Sequence, residues 1–268
     1  MKLYYQRYPV DSDPSNGEED SRPPAIIIPG LFGSTTNWRS IAKHIGENYP
    51  IWVIDLRNHG RSPHASSHTY AEMCKDLLAF MDQHGLSQII PCGHSMGGKV
   101  AMLFSLLYPE RVSRLAVLDM APVAYQHNPA PFLEALLDVD LRTSKSRNEA
   151  DRVLQTVIPD TAIRLFLLQN LSGSAGNYQW RINLPVLHQY MSDIAGFPKE
   201  LVANHAFSRE AVFIHGELSD YVQDSYQAEI AKLFTNAEFA SINGAGHWLH
   251  ADQPDAVVSC LLKFLIMS

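Results

Sequence analysis

Residues 93–99 read Gly-His-Ser-Met-Gly-Gly-Lys, and two chemistries use glycine at such spacings. Gly93 and the Gly98-Lys99 pair are separated by four residues, as in a phosphate-cradling loop. Gly93, Ser95 and Gly97 form Gly-x-Ser-x-Gly, the pattern of a strained strand-to-helix turn that holds a serine hydroxyl out as a nucleophile. The next residue decides between them. A phosphate loop needs Ser or Thr after its lysine, because that hydroxyl holds Mg²⁺. Val100 offers only methyl groups. Ser95 is therefore the candidate nucleophile. Lys99 is expected as an early-helix residue that faces solvent or packs its stem.

A serine needs a base, and the base needs an orienting acid. His247 stands in the glycine-rich run "INGAGHWLHADQP", between an apolar strand and a helix. Such a loop lets an imidazole reach across strand ends. His250 competes, but Gly244 and Gly246 favour His247. Two carboxylates are candidates for the acid. One is Asp220, one residue past Ser219 in "GELSDYV", where the acid of such enzymes commonly stands. The other is Asp119, which ends the apolar run "RLAVLD". A carboxylate closing a buried strand is costly without a partner, and His247 would be that partner. Asp119 is preferred and Asp220 is the alternative, with the Ser219 hydroxyl joining the same network. An acyl intermediate also needs oxyanion donors. The Met96 N–H opens the helix after Ser95. The Leu31 N–H, with Phe32 as its neighbour, comes from the loop in "IIIPGLFGSTTNW".

These residues need a scaffold of strand ends. Apolar, β-branched runs at 25–29, 51–55, 88–92, 114–119, 211–215 and 238–242 do not alternate, as expected of strands buried on both faces. Residues 2–8, rich in tyrosine, read as an edge strand. Helical patterns at 35–48, 69–84, 97–108, 221–234 and 254–266 lie between the strands. Strands alternating with helices predict a mostly parallel α/β sheet flanked by helices. The alternation stops at about 123–207, where four helical runs follow one another without a convincing strand. This stretch is expected as a helical cap inserted after the sixth strand, over the strand C-termini. Residues 1–122 and 208–268 would form the core. The acidic run 11–20 reads as a solvated loop.

Bulk properties narrow the partners. The 268 residues carry a net charge of −7, which argues against nucleic acid. No apolar run reaches the roughly 18 residues needed to span a bilayer. The opening residues "MKLYYQRYPVDSD" hold no apolar h-region and are not expected to act as a secretory signal. The three cysteines form no CxxC pair, so a reducing, cytoplasmic compartment is expected. No HExxH or Cys/His set suggests a metal, and the proposed chemistry needs no cofactor.

The segments "GLFGSTTNW", "DLRNHGRSP", "GHSMGGKVAM", "LDMAPVAY", "YQWRINLPVL" and "GAGHWLHADQPDAV" together span residues 30–257. They resemble the α/β-hydrolases, and closely the bacterial YbfF-type acyl esterases. The resemblance implies a hydrolase sheet with a helical cap. It implies esterase or thioesterase activity on small acyl esters, with acyl-CoA thioesters among the substrates. The family also carries serine at the usual acid position, in support of Asp119. Pro29 departs from it, since a histidine usually precedes "GLFG". Arg57, Trp180 and Arg181 are expected to serve packing before substrate contact. The basic run 141–148 reads as a solvated loop before it reads as a CoA phosphate site. Rival readings are a carbon–carbon bond hydrolase or lyase on the same triad, and a non-catalytic receptor on this fold. Epoxide hydrolases and haloalkane dehalogenases use Asp as nucleophile, and Ser95 excludes that chemistry.

Overall fold

The computed structural model describes residues 1–9, 21–126, 129–144 and 146–266. The acidic run 11–20 and Lys145 of the basic run lie outside the described residues. Seven strands form one sheet: β1 (Tyr5–Tyr8), β2 (Ala25–Ile28), β3 (Ile51–Ile54), β4 (Ile90–His94), β5 (Leu115–Leu118), β8 (Ala211–Gly216) and β9 (Ala237–Ile242), while β6 (Leu171–Ser172) and β7 (Gln179–Trp180) pair separately. The spatial order is β1-β3-β2-β4-β5-β8-β9. Only β1 runs antiparallel to its neighbour; the other pairings in this sheet are parallel.

Strand side chains alternate between two apolar layers, as the period of two requires. Ile26, Ile28, Trp52, Ile54, Leu115, Val117 and Phe213 face one layer. There they meet α2 (Tyr70–Gln83) and α3 (Met96–Leu107). Ile27, Ile51, Val53, Ile90, Ala116, Leu118 and Ile214 face the other. There they meet α1 (Thr35–Gly46) and α11 (Pro254–Ile266). Double burial holds for β2 through β5. It fails for β9, where Glu238, Phe239 and Ser241 are exposed. The strand ends the sheet, so one flank has no neighbour to cover it.

Between β5 and β8 lie α4 (Ala130–Leu137), α5 (Arg147–Gln155), α6 (Thr161–Leu168), α7 (Leu184–Gln189) and α8 (Met191–Ala195). Two details correct the sequence reading. This stretch follows the fifth strand among the described residues, not the sixth. It also contains the short antiparallel pair β6–β7, whose two residues per strand are too few to leave a periodic pattern. Its buried residues, among them Leu133, Leu154, Leu167, Leu187 and Ile194, are continuous with the α2–α3 layer. Helix α9 (Asp224–Leu233) follows β8, and α10 (Leu249–Asp252) precedes α11.

Candidate active site

Ser95 follows β4 directly, and Asp119 follows β5. The register pairs Gly93 with Val117 and His94 with Leu118, so the next residues, Ser95 and Asp119, stand at one height on adjacent strands. Both adopt left-handed backbone, at φ +54° and +52°. That conformation is strained for residues with a Cβ and persists where surrounding structure enforces it. At the elbow the enforcement is steric. A Cβ on Gly97 would lie 2.1 Å from the Ile28 carbonyl oxygen, and one on Gly93 would lie 2.2 Å from the Gly97 oxygen. Only glycine lets the turn close this tightly against β2.

Ser95 occupies the N-cap of α3 yet caps nothing. Ser34 and Thr69, at the N-caps of α1 and α2, both close capping boxes. The Ser95 hydroxyl is instead 2.9 Å from His247 Nε2. His247 Nδ1 is 2.7 Å from Asp119 Oδ2. Asp119 is fully buried. Its Oδ2 accepts the Ser219 hydroxyl at 2.5 Å, and its Oδ1 accepts the Gly216 N–H at 3.2 Å. Ser219 thus joins the network as expected from sequence. Asp220 does not: it is exposed on the same loop, and the His247 nitrogen it would need is held by Asp119. Of the two candidate acids, the structure places Asp119 and not Asp220 against His247. Ser219 occupies the inward position at which a carboxylate would stand, and the next residue along the turn faces out.

The imidazole is fixed from several sides. Tyr221 stacks on it at 3.8 Å between ring centres, with 19° between planes. His94 Nε2 lies 2.9 Å from the His247 carbonyl oxygen. A carbonyl only accepts, so His94 carries its proton on Nε2. Burial holds the His94 pKa well below 6.5, with His250 and His247 adding to the effect. A Cβ on Gly216 would lie 2.4 Å from the carbonyls of Ala245 and Gly246; glycine here lets the histidine loop lie against β8. His250 makes no bond to Ser95. It stacks on Trp38 at 4.5 Å, its Nδ1 is buried without a partner, and burial pushes its pKa down to about 4.

The Gly33 N–H donates to the Gly30 carbonyl at 2.9 Å, closing a turn with Leu31 and Phe32 at its centre. Phe32 has φ +63°. The Leu31 and Met96 N–H groups donate to nothing among the described residues. Met96 opens α3, whose N-terminus carries the positive end of the helix dipole. Leu31, Phe32, Ser95, Met96 and His247 border one cavity of about 230 Å³. Its other walls are mainly apolar, with Met120, Phe132, Phe166, Leu167 and Ile194 among them.

Lys99 sits elsewhere than in a solvent-facing position, while the other residues weighed for substrate contact lie away from the cavity as expected. Lys99 does not face solvent: it is 2% exposed and borders the cavity. Its Nζ donates to the carbonyls of Ile194, Ala195 and Gly196 at 3.2, 2.8 and 2.7 Å, and lies 4.9 Å from the Tyr125 ring centre. Burial pushes its pKa down to about 7. The sequence did carry a signal, because "MGGKVAMLFSLL" is apolar almost all round and leaves a lysine no wet face. Arg57 is structural, with Nε 2.6 Å from Asp76 Oδ2 in a buried pair. Trp180 and Arg181 do not border the cavity. Arg142 pairs with Asp140, and Arg147 donates to the carbonyls of Leu168 and Leu171. Asn170, which no motif marks, donates to the Phe32 carbonyl at 2.8 Å and is buried.

Residues 23–254 match the alpha/beta hydrolase fold family. The protein named sn-1-specific diacylglycerol lipase ABHD11 of Mus musculus is 38% identical over 255 residues, covering 92% of this chain and 82% of its own. The esterase YbfF of Escherichia coli K12 is 32% identical over 243 residues, covering 90% of this chain and 92% of its own. The solved structure of a marine microorganism esterase is 34% identical and aligns at a TM-score of 0.89, over 98% of this chain and 99% of its own. With the sheet order, the elbow and these relatives together, the chain belongs to the α/β-hydrolase family and resembles its YbfF-like esterases.

Proposed function

We propose that the protein is a serine carboxylic-ester hydrolase that works through an acyl-enzyme. The observation that carries this reading is the continuous chain from Ser95 Oγ to His247 Nε2 at 2.9 Å and from His247 Nδ1 to Asp119 Oδ2 at 2.7 Å. His247 accepts the Ser95 proton as Oγ attacks the acyl carbon. The Leu31 and Met96 N–H groups receive the oxyanion. Asp119 holds His247 in the tautomer with its proton on Nδ1 and stabilises the imidazolium. His247 then protonates the leaving alcohol. Water, with His247 as base, frees the acid and restores Ser95.

Residues 123–207 act as a helical cap that closes the cavity over a core of 1–122 and 208–268. The cavity's apolar walls suit the acyl chain of a small ester. The mechanism uses no metal or organic cofactor. Cysteine usage favours a cytoplasmic setting; no helix among the described residues is long and apolar enough to cross a membrane. Acyl-CoA thioesters belong in the substrate panel beside oxygen esters, since the same acyl transfer serves both.

The test is hydrolysis of p-nitrophenyl acetate and butyrate by wild type and Ser95→Ala. The expected loss is roughly a thousandfold or more in kcat. Equal turnover by the variant would remove the reading. No turnover by either protein on the whole ester and thioester panel would favour a receptor on this fold. Turnover of a carbon–carbon substrate alone would favour that sibling chemistry.

A further inference from the structure

Helix α8 is five residues long and ends at the cavity, where Ile194 and Ala195 form part of the wall. The last carbonyls of a helix have no partners within it. Here they receive donors from the core. The Lys99 ammonium has three hydrogens, and it meets three carbonyls, those of Ile194, Ala195 and Gly196. Tyr70, on α2, adds its hydroxyl to the Ile194 carbonyl at 2.7 Å, and the Tyr125 N–H reaches the Ala195 carbonyl at 3.1 Å. The Tyr125 ring also faces the ammonium. A cation with all its hydrogens engaged has none left for a substrate anion. The lysine therefore acts on the wall and not on the ligand.

We propose that Lys99 is a positioning residue that fixes the end of α8, so that Ile194 and Ala195 form a rigid end wall limiting acyl-chain length. Lys99 lies one helical turn beyond Ser95, on the same helix. The wall is thus referenced to the nucleophile by the most direct covalent route the fold offers. The leaving group must lie beside His247 to receive its proton; in this proposal the acyl chain extends away from it toward Ile194 and Ala195, which border the same cavity. A lysine buried among carbonyls sets position more sharply than an apolar contact, because an ammonium that leaves its acceptors is left unsatisfied in a buried site.

The inference rests on the ester-hydrolase reading. Its test compares kcat/KM for p-nitrophenyl acetate, butyrate and octanoate in wild type, Ile194→Ala, Lys99→Met and Lys99→Gln. The leaving group is constant, so the octanoate-to-acetate ratio reports the acyl wall alone. Ile194→Ala opens the wall directly, and the ratio is expected to rise about tenfold. Lys99→Met is expected to raise it in the same direction, with Lys99→Gln, which keeps a shorter donor head, between it and wild type. A merely structural lysine would lower all three esters by one factor and leave the ratio where it was. Should Lys99→Met not fold, the Lys99→Gln and Ile194→Ala ratios decide. An unchanged ratio in Ile194→Ala, or in the Lys99 variants that fold, overturns the proposal. Undiminished turnover in Ser95→Ala would instead overturn the underlying reading.

Discussion

Asp119 and Asp220 are chemically alike and differ in what surrounds them. Asp119 is dry and accepts from Ser219, Gly216 and the His247 ring; Asp220 is wet. Asp119→Asn is expected to lower kcat by roughly a thousandfold or more, because an amide can donate to Nδ1 and so stabilise the wrong tautomer. Asp220→Asn should stay within about twofold of wild type. Kinetics on p-nitrophenyl butyrate checks both, and the reverse pattern would exchange the two roles. Lys99 makes a residue-scale prediction about stability. Its folded value of about 7 lies below the ordinary 10.5 because burial favours the neutral amine. Below about pH 7 both folded and unfolded chains hold the proton, and the fold bears the full cost of burying it. From there to about 10.5 only the unfolded chain holds it, so stability rises with pH. Around the amine lie the three carbonyls and the rings of Tyr70 and Tyr125. Burial pushes both hydroxyls above the usual phenol range, so they stay neutral through this window. Wild type is expected to gain on the order of a few kcal/mol over Lys99→Met across the window, read by urea denaturation. A constant difference between the two would show that the folded lysine stays charged throughout the window.

The elbow belongs to the scale of the element. Strand β4 and helix α3 can meet at so sharp an angle only because Gly97 packs its backbone against Ile28 and Pro29. Gly97→Ala places a methyl group 2.1 Å from the Ile28 oxygen, so β2 and α3 must separate. A loss of about 3 kcal/mol or more is expected, with a lower urea midpoint, since overpacking against backbone cannot relax by side-chain rotation. An unchanged midpoint would mean that the turn has slack. Gly196, where an added Cβ would meet nothing nearer than 3.4 Å, tells the two cases apart by contrast. The same element explains why Ser95 leaves α3 uncapped: its hydroxyl is committed to His247.

Across the whole molecule, asparagines tie the segment between β5 and β8 to the rest of the chain at three places. Asn170 holds the Phe32 carbonyl, Asn37 donates to Gln169, and Asn183 donates to Asn58. The Phe32 tie bears on the proposed oxyanion turn, because Leu31 and Phe32 share it. Asn170→Ala is expected to lower kcat by about ten- to a hundredfold with a smaller change in KM, since a displaced N–H is missed most in the transition state. A change confined to KM would assign Asn170 to substrate binding. Lys99 adds a second tie beneath α8.

Much of this arrangement was legible along the chain. The sheet strands and core helices follow from apolar runs and caps, which are local. Ser95, His247 and Asp119 follow from a turn motif, a glycine-rich loop and a carboxylate stranded on an apolar strand, which are local too. Four things required three dimensions. Asp119 rather than Asp220 lies against His247 because the β4–β5 register and the Gly216–Ala245 contact bring the ring to it. His94, one residue before Ser95, was brought to the His247 carbonyl by a loop over a hundred and fifty positions away. Asn170, between α6 and β6, met Phe32, between β2 and α1. Lys99 found its carbonyls on α8, roughly a hundred residues onward. Sequence alone determines which groups are able to react and which segments can carry them, because propensity and turn chemistry act over a few residues. Which acceptor a buried donor reaches is decided only when strand register and helix packing bring distant backbone within 3 Å.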